Sequence, residues 1–236
     1  MKLRQSTLAL IFLSSSVLAQ EDLRVMDKTV LYMIDVEEFE FSDIGNNNDL
    51  SWDADFWVGT DTDRLWIKST EESADLEQDS SEIQILYSKA ISPFWNLRTG
   101  IRREMDPKPS EDSAVISVLG LMPYGIEVEA ELFLAEDGHT SAHLEAEHEL
   151  LLTQRLKLTT EAEIDMHSQS DPTRGIGSGL GKLELAFRVR YELRREFAPY
   201  LGLRWTRFVG ESKEFAVARG FESNDFELVA GLRFWY

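Results

Sequence analysis

Three of the four histidines in this chain combine with acids in a spacing that suits a metal. His139 and His143 open one alternating segment; Glu163, Asp165 and His167 close the next, with Met166 between the last two. If the two segments pair as a hairpin with Leu152 facing Gln154, His139 lies opposite His167 and His143 opposite Glu163. All four then share one face, with Asp165 beside them. Directly opposed residues hold their Cβ atoms about 4.5–5.5 Å apart, close enough to share an ion. A slip of two residues breaks the face-to-face pairing but leaves the histidines near one another. Imidazole with carboxylate suits Cu(II), Zn(II) or Ni(II), and the Met166 thioether would favour Cu(I). The candidate ligands are therefore His139, His143, Glu163, Asp165, Met166 and His167. Histidines at a rim are also common as plain surface residues, and residue type alone leaves that reading open. His148 has the other parity and reads as an interface residue.

Other chemistries find little support. With no cysteine there are no disulfides, thiolate metal sites or Cys nucleophiles. Ser168 beside His167 and Ser141 near His143 are the serines close to histidine, and adjacent strand residues point apart, so neither makes a triad. An enzyme is not expected.

The elements that position these residues are strands. The C-terminal stretch alternates strictly: Phe226, Leu228, Ala230, Leu232, Phe234 and Tyr236 point one way, Glu227, Val229, Gly231, Arg233 and Trp235 the other. A strand of about 9–11 residues with one apolar face crosses a bilayer in a tilted barrel. Similar period-two segments recur at 31–41, 51–59, 64–70, 82–90, 95–103, 113–121, 125–134, 140–150, 156–165, 181–192, 200–208 and 225–236. The first of these fits a helix nearly as well. Twelve is an even number, as single-chain bacterial barrels require, and short connections nearly alternate with long ones. The expected fold is an all-β, transmembrane, antiparallel up-and-down barrel.

One parity is apolar in strand after strand: Trp52, Ala54, Phe56 and Val58, or Leu183, Leu185, Phe187, Val189 and Tyr191. The other carries Asp53 and Asp55, or Lys182, Glu184, Arg188 and Arg190. A Lys or Arg at mid-bilayer costs about 2–4 kcal/mol, so the charged parity is assigned to the lumen. Segments seven to nine then supply an acidic wall (Glu127, Glu129, Glu131, Glu145, Glu147, Glu149, Glu161, Glu163, Asp165). Arg188, Arg190, Arg204, Arg233, Arg98 and Arg102 supply a basic one. These charges either pair and fill the interior or line a cation-attracting conduit.

Residues 1–19 place Lys2 and Arg4 before a short apolar run and end on Ala19, the order of a secretory signal peptide. Cleavage there leaves a short periplasmic segment at 20–30 and a barrel at 31–236. The formal charge of −19 falls to about −21 without Lys2 and Arg4, which disfavours nucleic acid as a partner.

Five blocks carry a family resemblance. They are Leu50-Ser-Trp-Asp-Ala-Asp-Phe-Trp-Val-Gly59 with Asp63-Arg-Leu-Trp-Ile-Lys68, Leu86-Tyr-Ser-Lys-Ala-Ile-Ser-Pro-Phe-Trp95, Glu147-His-Glu-Leu-Leu-Leu-Thr-Gln-Arg-Leu156, Arg174-Gly-Ile-Gly-Ser-Gly-Leu180 and Arg190-Tyr-Glu-Leu-Arg-Arg-Glu-Phe-Ala-Pro-Tyr200. Over roughly 31–236 the chain resembles the copper resistance protein B family. The resemblance implies an outer-membrane protein that binds copper and helps sequester or export it, with periplasmic copper-resistance proteins as partners and no catalytic reaction. Many members carry a Met/His-rich extension after the leader. Here 20–30 holds only Met26, with Met33 next, so any copper ligands must come from the barrel. A general diffusion or structural barrel without metal preference is the alternative.

Overall fold

The computed structural model describes residues 29–42, 49–72 and 79–236. The expected leader at 1–19 and residues 20–28 lie outside these, as do 43–48 and 73–78. Among the described residues the strands are β1 (Leu31–Ser42), β2 (Asp49–Gly59), β3 (Asp63–Glu72), β4 (Ser80–Ser92), β5 (Trp95–Asp106) and β6 (Glu111–Met122). They continue as β7 (Ile126–Ala135), β8 (Thr140–Leu151), β9 (Leu156–His167), β10 (Gly179–Tyr191), β11 (Phe197–Phe208) and β12 (Asn224–Trp235). Each pairs antiparallel with the next, and β1 pairs with β12 to close the barrel. Closure leaves no sheet edge with unpaired N–H and C=O groups, which hydrocarbon could not satisfy.

The two faces carry opposite chemistry. Phe56, Leu65, Ile85, Ile101, Ile116, Leu132, Phe187, Leu203 and Leu228 are exposed on the outside, while Glu40, Gln84, Arg98, Glu129, Arg188 and Arg204 are buried within. In water such an apolar belt would be an aggregation surface; in a bilayer it is the lipid contact. Among the described residues no helix is long and apolar enough to cross a membrane.

β1 explains its own ambiguous pattern. Val36 pairs with Ala54, and Glu38 pairs with Asp53, so Glu37 is the extra residue of a β-bulge. Strict alternation therefore fails between Asp35 and Glu38, yet Asp35, Glu37 and Glu38 all line the interior.

The seam between β1 and β12 is irregular as well, jumping from Val36↔Phe234 to Glu40↔Gly231. Side chains tie it from within. Arg188 on β10 reaches Glu38 at 2.5 Å, Glu40 at 2.7 Å and Glu161 at 2.5 Å. Arg204 on β11 binds Glu40 and reaches Glu184 at 3.1 Å. Arg233 on β12 reaches Glu37 at 3.2 Å. At the strand ends Ile34 and Tyr236 exchange backbone hydrogen bonds of 2.9 and 2.8 Å, so pairing extends to the terminal residue.

The connections at the end holding both strand termini are short, and those at the other end include the two longest, so the latter end is extracellular by the rule for this class. Between β11 and β12, where no period-two segment is expected, lies a helix, α1 (Gly210–Arg219). Its buried face is only Ser212 and Ala216, too small to register as apolar periodicity.

Removing one partner of a buried ion cluster costs about 3–5 kcal/mol. Glu40→Ala is therefore expected to lower the unfolding free energy of the refolded barrel by that amount in urea titration, and Glu214→Ala on α1 by less than about 0.5 kcal/mol.

Candidate metal centre in the lumen

The interior holds a cavity of about 510 Å³, and the residues lining it include nineteen Asp and Glu against seven Lys and Arg. The ladder between neighbours sets these acids in rows. Glu131, His143, Asp165 and Lys182 lie side by side across β7–β10. Glu129, Glu145, Glu163 and Glu184 form the next row, and Glu127, Glu147 and Glu161 the one below. Like charges directly opposed across a ladder repel, and basic side chains offset part of this. Lys68 crosses from β3 to Glu129 at 3.1 Å, and Arg98 reaches the same carboxylate at 2.8 Å. Lys182 sits 3.0 Å from both Glu72 and Glu184, so a lysine ammonium already serves the Glu72–Glu163–Glu184 cluster. The basic wall is paired, while Glu131, Glu145, Glu147 and Glu163 face the cavity without an ion pair among the described residues.

The structure divides the six ligands suggested by sequence. β8 and β9 pair with Ser141 opposite His167 and His143 opposite Asp165, two residues away from the register assumed. The turn is the cause. Thr153 Oγ1 accepts the N–H groups of Arg155 (3.3 Å) and Leu156 (2.9 Å), which widens the connection between Leu151 and Leu156. His143 consequently donates Nδ1–H to Asp165 Oδ1 at 2.7 Å rather than facing Glu163. Glu163 falls one row deeper, opposite Glu145 and Glu184.

His167 lines the cavity diagonally from His143 and packs on Gly181, where a Cβ would lie 3.2 Å from its ring. Met166 has the parity of Ile164, is exposed, and does not line the cavity; its thioether faces lipid and drops out of the ligand set. His139 leaves the set too. It belongs to the tight turn after β7, beside Asp137, instead of facing His167.

What remains in the lumen has the form of an oriented ligand. A carboxylate that holds Nδ1–H fixes the imidazole tautomer and leaves the Nε2 lone pair for a metal. Directly opposite His143 on β7 stands Glu131, 6% exposed, whose Oε1 has no hydrogen-bond partner. Sequence pattern places Glu131 on the acidic wall but not beside His143; that position follows from the β7–β8 register.

Above this row the extracellular mouth is roofed. The 168–178 connection sends Arg174, 4% exposed, inward to Glu104 at 2.8 Å and Glu111 at 2.7 Å. α1 lies against it: Arg219 donates to the carbonyls of Pro172 (3.0 Å), Thr173 (2.7 Å) and Arg174 (3.1 Å), and Ser212 Oγ accepts the Gly177 N–H at 2.9 Å. Hydrogen bonds from Ser170, and from the N–H and hydroxyl of Ser178, hold the Glu211 carboxyl below its ordinary pKa.

The family model described as copper resistance protein B precursor matches residues 30–236. Copper resistance protein B of Escherichia coli is 35% identical over 212 residues, covering 90% of this chain and 72% of that protein. A copper resistance protein B homolog of Pseudomonas syringae pv. tomato is 33% identical over 213 residues with the same coverage. Among solved structures the NanC porin superposes with a TM-score of 0.53 at 9% identity, covering 86% of this chain and 98% of the porin; this likeness concerns the fold alone.

The geometry separates Asp165 from Met166. Asp165→Asn is expected to weaken Cu(II) binding about 10–100-fold in calorimetric titration of the refolded protein. Met166→Leu should leave affinity within about twofold.

Proposed function

We propose, for a chain that belongs to the copper resistance protein B family, that the barrel draws Cu(II) into its carboxylate-lined lumen and holds it on His143, catalysing no reaction. Its place is the outer membrane. The observation that carries the reading is the 2.7 Å contact between His143 Nδ1 and Asp165 inside a cavity where acids outnumber bases. The excess negative charge concentrates cations; imidazole with carboxylate suits Cu(II) as it does Zn(II) and Ni(II), and the family membership points to copper among them. Copper here is cargo, sequestered or passed outward after delivery by copper-resistance proteins of the periplasm.

A general diffusion pore fits the interior less well. Lys68 and Arg188 span the lumen to Glu129, Glu38 and Glu40, and Arg174 occupies the mouth.

Calorimetric titration of the refolded, full-length protein tests the assignment. His143→Ala is expected to abolish one bound Cu(II) or weaken it at least about tenfold. His148→Ala, whose ring lies 3.5 Å from the Gly125 carbonyl near the short-turn end, should change affinity by less than about twofold. Equal effects of the two substitutions would overturn the assignment.

A further inference from the structure

His139, displaced from the lumen set, lies in a second cluster with its own consequence. The β7–β8 turn is tight: Ala135 N–H donates to the His139 carbonyl at 2.9 Å, and Gly138 takes φ +90, a conformation open to glycine. This turn folds Asp137 back on His139. Asp137 Oδ1 accepts the His139 N–H at 3.0 Å, and Oδ2 lies 3.3 Å from Nδ1. Ser113 pairs with Ala135, and that register continues upward to bring Glu111, the first residue of β6, beside the same turn. Ligand atoms of Glu111, Asp137 and His139 all lie within 4.8 Å of one another. Ligands on one first-row divalent ion sit about 3–3.5 Å apart, so small side-chain rotations complete the site.

Glu111 is also the carboxylate that holds Arg174 at 2.7 Å. Arg174 is the inward anchor of the 168–178 roof, and its Nε donates to the Pro107 carbonyl at 3.3 Å. A divalent ion and a guanidinium brought to one carboxylate repel each other.

We propose that Glu111, Asp137 and His139 form a divalent-metal site at the extracellular mouth, and that an ion bound there loosens the roof by competing with Arg174 for Glu111. The donor set, one imidazole and two carboxylates, suits Cu(II) or Zn(II). The proposal takes from the preceding section only the choice of Cu(II) as probe. The rim site does not depend on His143 binding anything.

Binding and release are read separately on the refolded full-length chain. In calorimetry, His139→Ala and Glu111→Gln should each weaken one Cu(II) equivalent by about tenfold or more, and that equivalent should persist in His143→Ala. Coupling is reciprocal, so Arg174→Ala should tighten the same equivalent. In limited proteolysis, Cu(II) should speed tryptic cleavage after Arg174 in the wild type severalfold while leaving His139→Ala unchanged. Because His139 and Asp137 lie on a turn at the rim, retained strand circular dichroism will confirm that the variants are folded. Unchanged Cu(II) binding in His139→Ala would overturn the site. Cleavage no faster with Cu(II), or weaker binding in Arg174→Ala, would overturn the latch. Loss of the equivalent in His143→Ala alone would leave the lumen reading standing and remove this one.

Discussion

Carboxylates of the first strand gripping guanidinium groups of the last three hold this cylinder shut. Backbone pairing between β1 and β12 is interrupted, and the interruption falls where Glu38 and Glu40 meet Arg188 and Arg204. Burying such charges is expensive, and attraction recovers the cost only when partners are close and numerous. Here each guanidinium engages several carboxylates, and each strand of the seam contributes. The same cluster concentrates cationic side chains on one side of the bore, leaving β7–β9 as a wall of acids. Closure and lumen chemistry are thus one arrangement seen from two sides.

That asymmetry gives the interior its chemical character. Acids facing acids across a ladder are unfavourable unless a cation or a proton intervenes. Lysines supply the cation in some rows, as Lys182 does beside Glu72 and Glu184. The uppermost row is different, because an imidazole, His143, stands between two of its acids, Glu131 and Asp165, with Lys182 at its end. A strongly charged lining attracts cations of every kind. The roof of 168–178 and α1 lies over that row on the extracellular side, tied down through Arg174 and Ser212.

Much of this was legible in the residues. Period-two alternation located all the strands, because lipid and lumen impose opposite polarity on successive positions. The walls followed from parity alone. The β8–β9 register did not, since it depends on the width of the turn at 152–155, where the Leu156 carbonyl accepts from Leu152 and Thr153 and the Thr153 hydroxyl accepts two further N–H groups, and hydrophobic pattern is silent about turn width. That shift exchanged Glu163 for Asp165 as the partner of His143. Met166 was misplaced for a simpler reason: neighbours in sequence lie on opposite faces of a strand, so proximity to Asp165 and His167 put it in lipid. α1 carries no such signal, because it packs through serine and alanine rather than an apolar stripe.

The bulge in β1 sets one position apart. Glu37 is an additional residue relative to the facing strand, since Val36 and Glu38 lie opposite the consecutive residues Ala54 and Asp53. Loss of that one residue would let the ladder run straight through, with Asp35 and Glu38 still turned inward, and would cost the carboxylate that meets Arg233 at 3.2 Å. At a regular position the same loss would turn every residue beyond it to the opposite face. The bulge is thus the place in the β1–β2 ladder where the wall absorbs a change of length without exchanging bore for acyl chains.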